Sequence, residues 1–176
     1  HSGALVSVRD KGMRKQPAFE VSITRDTGLR GAVYVASAAA NEVAQESDTY
    51  KGSYFTHYLL GGLRGAADEN RDNQVTLDEA YAFVYRHTIA TSHASIAAVQ
   101  HPTIETRLAG EGSLTLTYLD QSQATLTLDP SLEGNLLVID ERTGEIMAEI
   151  ERAGGNETRL AVRSGRYRLQ LRKESS

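Results

Sequence analysis

With 176 residues, 40% of them hydrophobic, the chain can bury one core, or one core plus a small appended module. A formal charge of -4, with 19 basic residues spread along the chain rather than gathered in a stripe, argues against nucleic acid as a partner. The lack of cysteine removes disulfides, thiolate metal sites and any thiol nucleophile from these residues.

The start, HSGALVSVRDKG, has neither the charged beginning nor the apolar centre of a signal peptide, and no later apolar run approaches the ~20 residues of a membrane span. The chain therefore reads as soluble, with no membrane span and a cytoplasmic location favoured. Residues 8 to 30 are polar and punctuated by Gly12, Pro17 and Gly28, which predicts a long exposed loop. Arg9, Lys11, Arg14, Lys15 and Arg25 make that loop a candidate site of proteolytic maturation. GAVYVASAAA, residues 31 to 40, is the β-branched and alanine-rich run of a buried, parallel central strand, and it feeds the polar loop NEVAQESDTYKGS.

Phe55, Tyr58, Leu59 and Leu63 then keep helical spacing, as do Leu77, Ala80, Tyr81, Val84 and Tyr85. Between these two helices lies DENRDNQVTLDE. Counted from Asp68, oxygen-bearing side chains fall at loop positions 1 (Asp68), 3 (Asn70), 5 (Asp72), 9 (Thr76) and 12 (Glu79), with Gln74 at the carbonyl-donating position 7. That is the spacing of an EF-hand calcium loop. Position 6, which requires a positive φ, is Asn73 instead of glycine, and Asn is the best substitute there. The alternative is a metal-free acidic turn between helices. A single loop with no second one to pair with makes a bound calcium structural rather than sensory.

Residues 92 to 119 read as a second loop leading into the alternating strand SLTLTYL. Beyond it the helical period disappears. ATLTLDP, GNLLVIDERTGEIMAEIER and ETRLAVRSGRYRLQLRK alternate and are joined by the turn signals ERTGE, AGGN and RSGR, which predicts a small all-β module of five or six strands. The domain expectation is thus 1–120 followed by the accessory module 121–176. His87, His93 and His101 lack the spacing or carboxylate company of a zinc site, no Ser lies in a G-x-S-x-G frame, and His57 reads as a packing residue on its helix.

Several of these stretches carry a resemblance. HSG at the start is similar to the residues that follow the nucleophile in the D-x-C-H-S-G segment of caspase-like cysteine peptidases of the metacaspase and bacterial caspase-homologue branch. GAVYVASAAANEVAQES resembles the strand and specificity loop of that family, residues 52 to 88 its small-subunit helix, EF-like loop and next helix, and QHPTIETRLAGEGSLTLT its closing loop and strand. The tail resembles the small β-sandwich modules appended to bacterial surface and signalling proteins.

The resemblance implies the small-subunit-like half of an α/β caspase-like sandwich, followed by a small all-β sandwich-like module. It implies a cysteine endopeptidase whose catalytic His and Cys come from sequence upstream of His1, on a large-subunit-like partner, with a peptide or protein as substrate. No catalytic residue would lie in this chain; His1, Ser2 and Gly3 would adjoin the nucleophile. Cleavage after Arg or Lys would depend on acids in the specificity loop, with Glu46 roughly where the family carries one and Glu42 as the alternate, beside Ser37 and Asn41. Ala40 and Asn41 stand where metacaspases usually have two aspartates. The other function class is a non-catalytic calcium-binding scaffold or pseudo-peptidase interaction module.

Overall fold

The structure is a computed structural model that describes residues 29–39, 42, 44–50, 52–93, 99–153 and 155–172. His1, Ser2, Gly3, Asn41 and the basic loop at residues 8 to 28 lie outside the described residues. The described residues divide into two compact units, one drawn from 29–56 and 85–114, the other from 57–84 and 115–172.

The first unit is built on a two-stranded sheet. The run RGAVYVA forms β1 (Arg30–Ala36), which pairs antiparallel with β5 (Thr103–Ala109) from Arg30 opposite Ala109 to Ala36 opposite Thr103. Gly31 permits this pairing: its φ is 143°, and a Cβ there would come within 1.8 Å of the Arg107 carbonyl oxygen. Two sequence expectations are corrected. The strand is antiparallel and only partly buried, and TIETRLA, read as loop, is its partner. Its alternation is too polar to signal a strand alone; pairing with β1 makes it one. The polar loop after β1 carries a two-residue ladder between β2 (Glu46–Ser47) and β3 (Gly52–Ser53).

Helix α1 (Tyr54–Gly61) begins where the Ser53 hydroxyl accepts a hydrogen bond from the Thr56 N–H, the N-cap arrangement. Its last residues belong to the second unit, where the chain continues into a wide turn, Gly62–Ala66, broken at Gly65 (φ 118°). Leu63, expected in helical register, lies in that turn. Strand β4 (Gln74–Thr76) follows the acidic loop and leads into α2 (Leu77–His93). β4 pairs antiparallel with β6 (Thr115–Tyr118), which lies within the expected alternating strand SLTLTYL.

Five strands make the β module: β7 (Ala124–Leu128), β8 (Gly134–Asp140), β9 (Ile146–Arg152), β10 (Thr158–Val162) and β11 (Tyr167–Arg172). They form a two-stranded sheet, β10-β7, and a three-stranded sheet, β11-β8-β9, all antiparallel. Leu128, Leu136, Val138, Ala148, Ile150 and Leu160 from both sheets share one buried cluster, so the two sheets have a common core. Each fully buried Leu or Val in it contributes about 1.5–3 kcal/mol of transfer free energy.

The second unit joins segment 57–84 to the chain from Thr115 onward, because 57–84 packs with the β module. Gly61 stands 3.6 Å from the Ala148 Cα, measured from an ideal Cβ, and the Arg64 guanidinium donates to the Met147 carbonyl at 2.6 Å. Gly65 faces the Arg159 carbonyl so closely that a Cβ would lie 2.3 Å from it. The Leu119 N–H donates to the Asn73 carbonyl at 2.9 Å, closing the loop against the turn after β6.

Candidate functional site

Two places gather polar chemistry, one in each unit. The first lies at the carboxyl end of β1. The Ser37 carbonyl, on a buried residue, accepts a hydrogen bond from Nε2 of Gln100 at 2.5 Å. Gln100 is fully buried, and its Oε1 accepts from the Gln45 N–H at 2.8 Å while its own N–H donates to the Ser92 hydroxyl at 3.0 Å. One amide thus clamps the end of β1, the loop that follows it and the last turns of α2. A buried amide with both ends satisfied is a specific positioning device, because neither end can be removed without stranding a backbone group.

The neighbouring residue completes the clamp. Glu42 accepts the His101 N–H on Oε2 at 2.7 Å, meets His101 Nδ1 with Oε1 at 2.7 Å, and accepts the Ala39 N–H at 3.4 Å. The backbone N–H of His101, followed by its ring and the Ala39 N–H, holds the Glu42 carboxyl below the ordinary carboxylate range, against the opposing effect of burial. His101 therefore has carboxylate company after all, from a residue 59 positions away that no local spacing could reveal. Of the four expected substrate-binding residues, Ser37 takes part in the clamp through its carbonyl and Glu42 is occupied as a loop lock. Glu46 sits exposed on β2 opposite Ser53. Gln100, Ser92 and Gln45 were missed by the sequence reading; Gln100, two residues before Pro102, carries no motif.

The second place is the acidic loop. Asn73 has φ 62°, the left-handed conformation expected at position 6, and Arg71 has φ 61°. The Asn73 N–H donates to Asp68 Oδ2 at 3.2 Å, the Asp72 N–H to Asn70 Oδ1 at 2.8 Å and the Gln74 N–H to Asp72 Oδ1 at 2.8 Å, so the loop wraps over its own side chains. Thr76 and Glu79 form a reciprocal capping box at the start of α2: the Thr76 N–H donates to Glu79 Oε2 at 3.0 Å and the Glu79 N–H to Thr76 Oγ1 at 3.3 Å.

Asp68 carries the electrostatic tension of the loop. Its Oδ1 is buried without a hydrogen-bond partner. Burial raises the Asp68 carboxyl above its ordinary value, Arg71 and Asn73 N–H groups oppose this, and the charges of Asp72 and Glu79 raise it further. A cation would relieve all three carboxylates. As the loop stands, however, Glu79 is turned toward Thr76, and among the described residues no three acidic or imidazole groups gather into a metal-binding set. Beside the loop, a shallow depression of about 210 Å³ is lined by Asp68, Arg71, Asn73, Glu157 and Arg159 among others, with the two arginines balanced by the two acids.

Comparison with protein-family models, with curated proteins and with solved structures finds no match. Among the described residues, no helix is long and apolar enough to cross a membrane.

Proposed function

We propose that the chain is the small-subunit-like portion of a caspase-like cysteine endopeptidase, joined to a β module, and that the enzyme hydrolyses peptide bonds after Arg or Lys with a His and a Cys supplied by sequence preceding His1. The observation that supports this reading is the state of β1. It is an apolar strand paired on one edge only among the described residues, and the loop at its carboxyl end is held by Gln100 and His101. A strand of that kind needs a neighbour for its second row of N–H and C=O groups. The carboxyl ends of strands are also where open α/β sheets present ligands.

In this reading the partner's thiolate attacks the scissile carbonyl and backbone N–H groups hold the oxyanion. The C–N bond breaks as the imidazolium gives its proton to the leaving amine, and water hydrolyses the thioester. Glu42 serves as the loop lock, which leaves Glu46 as the carboxylate for a substrate guanidinium or ammonium. The test uses the native preparation. Intact-mass spectrometry should find a companion polypeptide containing cysteine, an arginyl chloromethyl ketone should label that cysteine, and fluorogenic Arg and Lys peptide amides should be cleaved. A preparation with no cysteine-bearing companion and no cleavage overturns the reading.

A second reading, a calcium-stabilised binding scaffold, is favoured by Asp68 alone. The cation would take the side chains of Asp68, Asn70, Asp72 and Glu79 and the Gln74 carbonyl, with Glu79 giving up its bonds to Thr76. It would act structurally, raising the melting temperature by mass action. Calcium should raise the melting temperature of the wild type and not of Asp68→Asn. Equal shifts in both proteins would sink the site.

A further inference from the structure

From Thr158 to Arg172 the chain carries five arginines and no acidic residue, in a protein whose formal charge is -4. These residues form β10 of the two-stranded sheet, the turn that follows it, and β11, which among the described residues is an edge strand of the three-stranded sheet. Two of the arginines are engaged: Arg159 pairs with Glu157 and Arg172 with Glu149. Arg163, Arg166 and Arg168 are exposed, and their guanidinium groups have no ion pair among the described residues.

The strand itself is unusual for an edge. Leu169 and Leu171 are 41% and 51% exposed. Their cross-strand partners are Val138 and Leu136, so they lie on the face of the sheet that carries the buried cluster, and the core runs out onto the rim. Arg168 and Arg172, opposite Ile139 and Asn135, lie on the other face. The Tyr167 hydroxyl donates to the Arg163 carbonyl at 2.8 Å, tying the turn to the start of the strand.

We propose that the outer edge of β11 is a docking site for an extended acidic polypeptide segment that adds a strand to this sheet. The occupant's chemistry follows from the two faces. Residues opposite Leu169 and Leu171 would be apolar and would continue the core, while residues opposite Arg168 and Arg172 would be acidic and would also answer Arg163 and Arg166 at the turn. A second copy of the chain is a poor occupant. Antiparallel pairing of β11 with itself about Gln170 sets Arg168 against Arg172, and pairing about Leu169 sets Arg172 against Arg166, both like-charge contacts. Nucleic acid would use the arginines but not the alternating leucines or the backbone edge. The proposal does not depend on the peptidase reading.

The experiment titrates the full chain into a fluorescein-labelled octapeptide of alternating Glu and Val and reads anisotropy. The comparison ligands are the same residues in two blocks, the alternating peptide N-methylated on one edge, and a short oligothymidylate. The alternating peptide should bind at least about tenfold more tightly than the block and N-methylated peptides, because only it offers both faces and a hydrogen-bonding edge. Arg166→Gln with Arg168→Gln should weaken it by about tenfold or more, and Leu169→Gln with Leu171→Gln should weaken it without changing its salt dependence. On binding, β11 amides should gain hydrogen-exchange protection. Binding of the block peptide, the N-methylated peptide or oligothymidylate with equal affinity, self-association through β11, or no binding by the alternating peptide would each overturn the proposal.

Discussion

Replacing Gln100 tests whether the clamp at the end of β1 depends on hydrogen bonding or only on filling space. In Gln100→Leu the volume is roughly kept, but the Ser37 carbonyl and the Gln45 N–H lose their partners. Ser37 is buried, so its stranded carbonyl costs about 1–3 kcal/mol; Gln45 is half-buried and recovers part of its loss from water, so its N–H costs about 1 kcal/mol or less. The expected loss is about 2–3 kcal/mol. Gln100→Glu is the sharper variant, since it keeps shape and replaces the donor facing Ser37 by a second acceptor.

Protonated, a glutamic acid at this position still donates to Ser37 and accepts from Gln45. Ionised, it is a buried charge facing a carbonyl oxygen. Its folded pKa is therefore raised above the unfolded value, and the sign follows: the stability is present below the unfolded pKa and lost as pH rises through the folded one. Urea unfolding as a function of pH, together with NMR hydrogen exchange at the Gln45 amide, reads both effects. If Gln100→Glu matched the wild type at pH 7, or the Gln45 amide kept its protection in Gln100→Leu, the clamp would not be what holds the loop.

Glu42→Gln should cost about 1–2 kcal/mol at pH 7 by weakening the bonds from His101 and Ala39, discounted for the partial exposure of the pair. Because the Glu42 pKa is depressed, the wild-type advantage is present above its unfolded pKa and disappears as pH falls through the lower folded one, a loss that pH-dependent urea melts should trace. Thr76→Ala removes the N-cap of α2 and should lower stability by about 1 kcal/mol, whereas Glu79→Gln keeps the capping geometry and should cost less while weakening any calcium response; chemical melts with and without calcium separate the two. Gly65→Ala forces a Cβ against the Arg159 carbonyl at a positive φ and should destabilise the second unit by about 1–3 kcal/mol or more, read by loss of protection in β10 amides. Unchanged protection there would show that the loop and β10 are not packed as described.

The helices flanking the acidic loop were legible because three or four residues of apolar spacing suffice to mark a helix face, whereas Thr76 and Glu79, expected at loop positions 9 and 12, cap α2 in the structure. The five strands of the β module were legible for a similar reason: period-two alternation and the turn signals at Gly144 and Gly155, both at positive φ, are local. Asn73 at φ 62° likewise follows from loop spacing alone. TIETRLA was not legible, since a strand with little apolar contrast is defined by its partner.

What the sequence by itself determined is therefore what neighbours within one turn or one hairpin decide: the helix–loop–helix, the alternating tail and the absence of a thiol. The tertiary structure alone decided that β1 runs antiparallel to β5, that segment 57–84 packs with the tail through Gly61 and Gly65, and that Glu42 locks a loop to His101. The contacts of the clamp join residues 55, 59 and 63 positions apart. Periodicity carries no signal at that range, because the hydrogen bond between two such residues depends on where the whole chain brings them and leaves no pattern in either stretch.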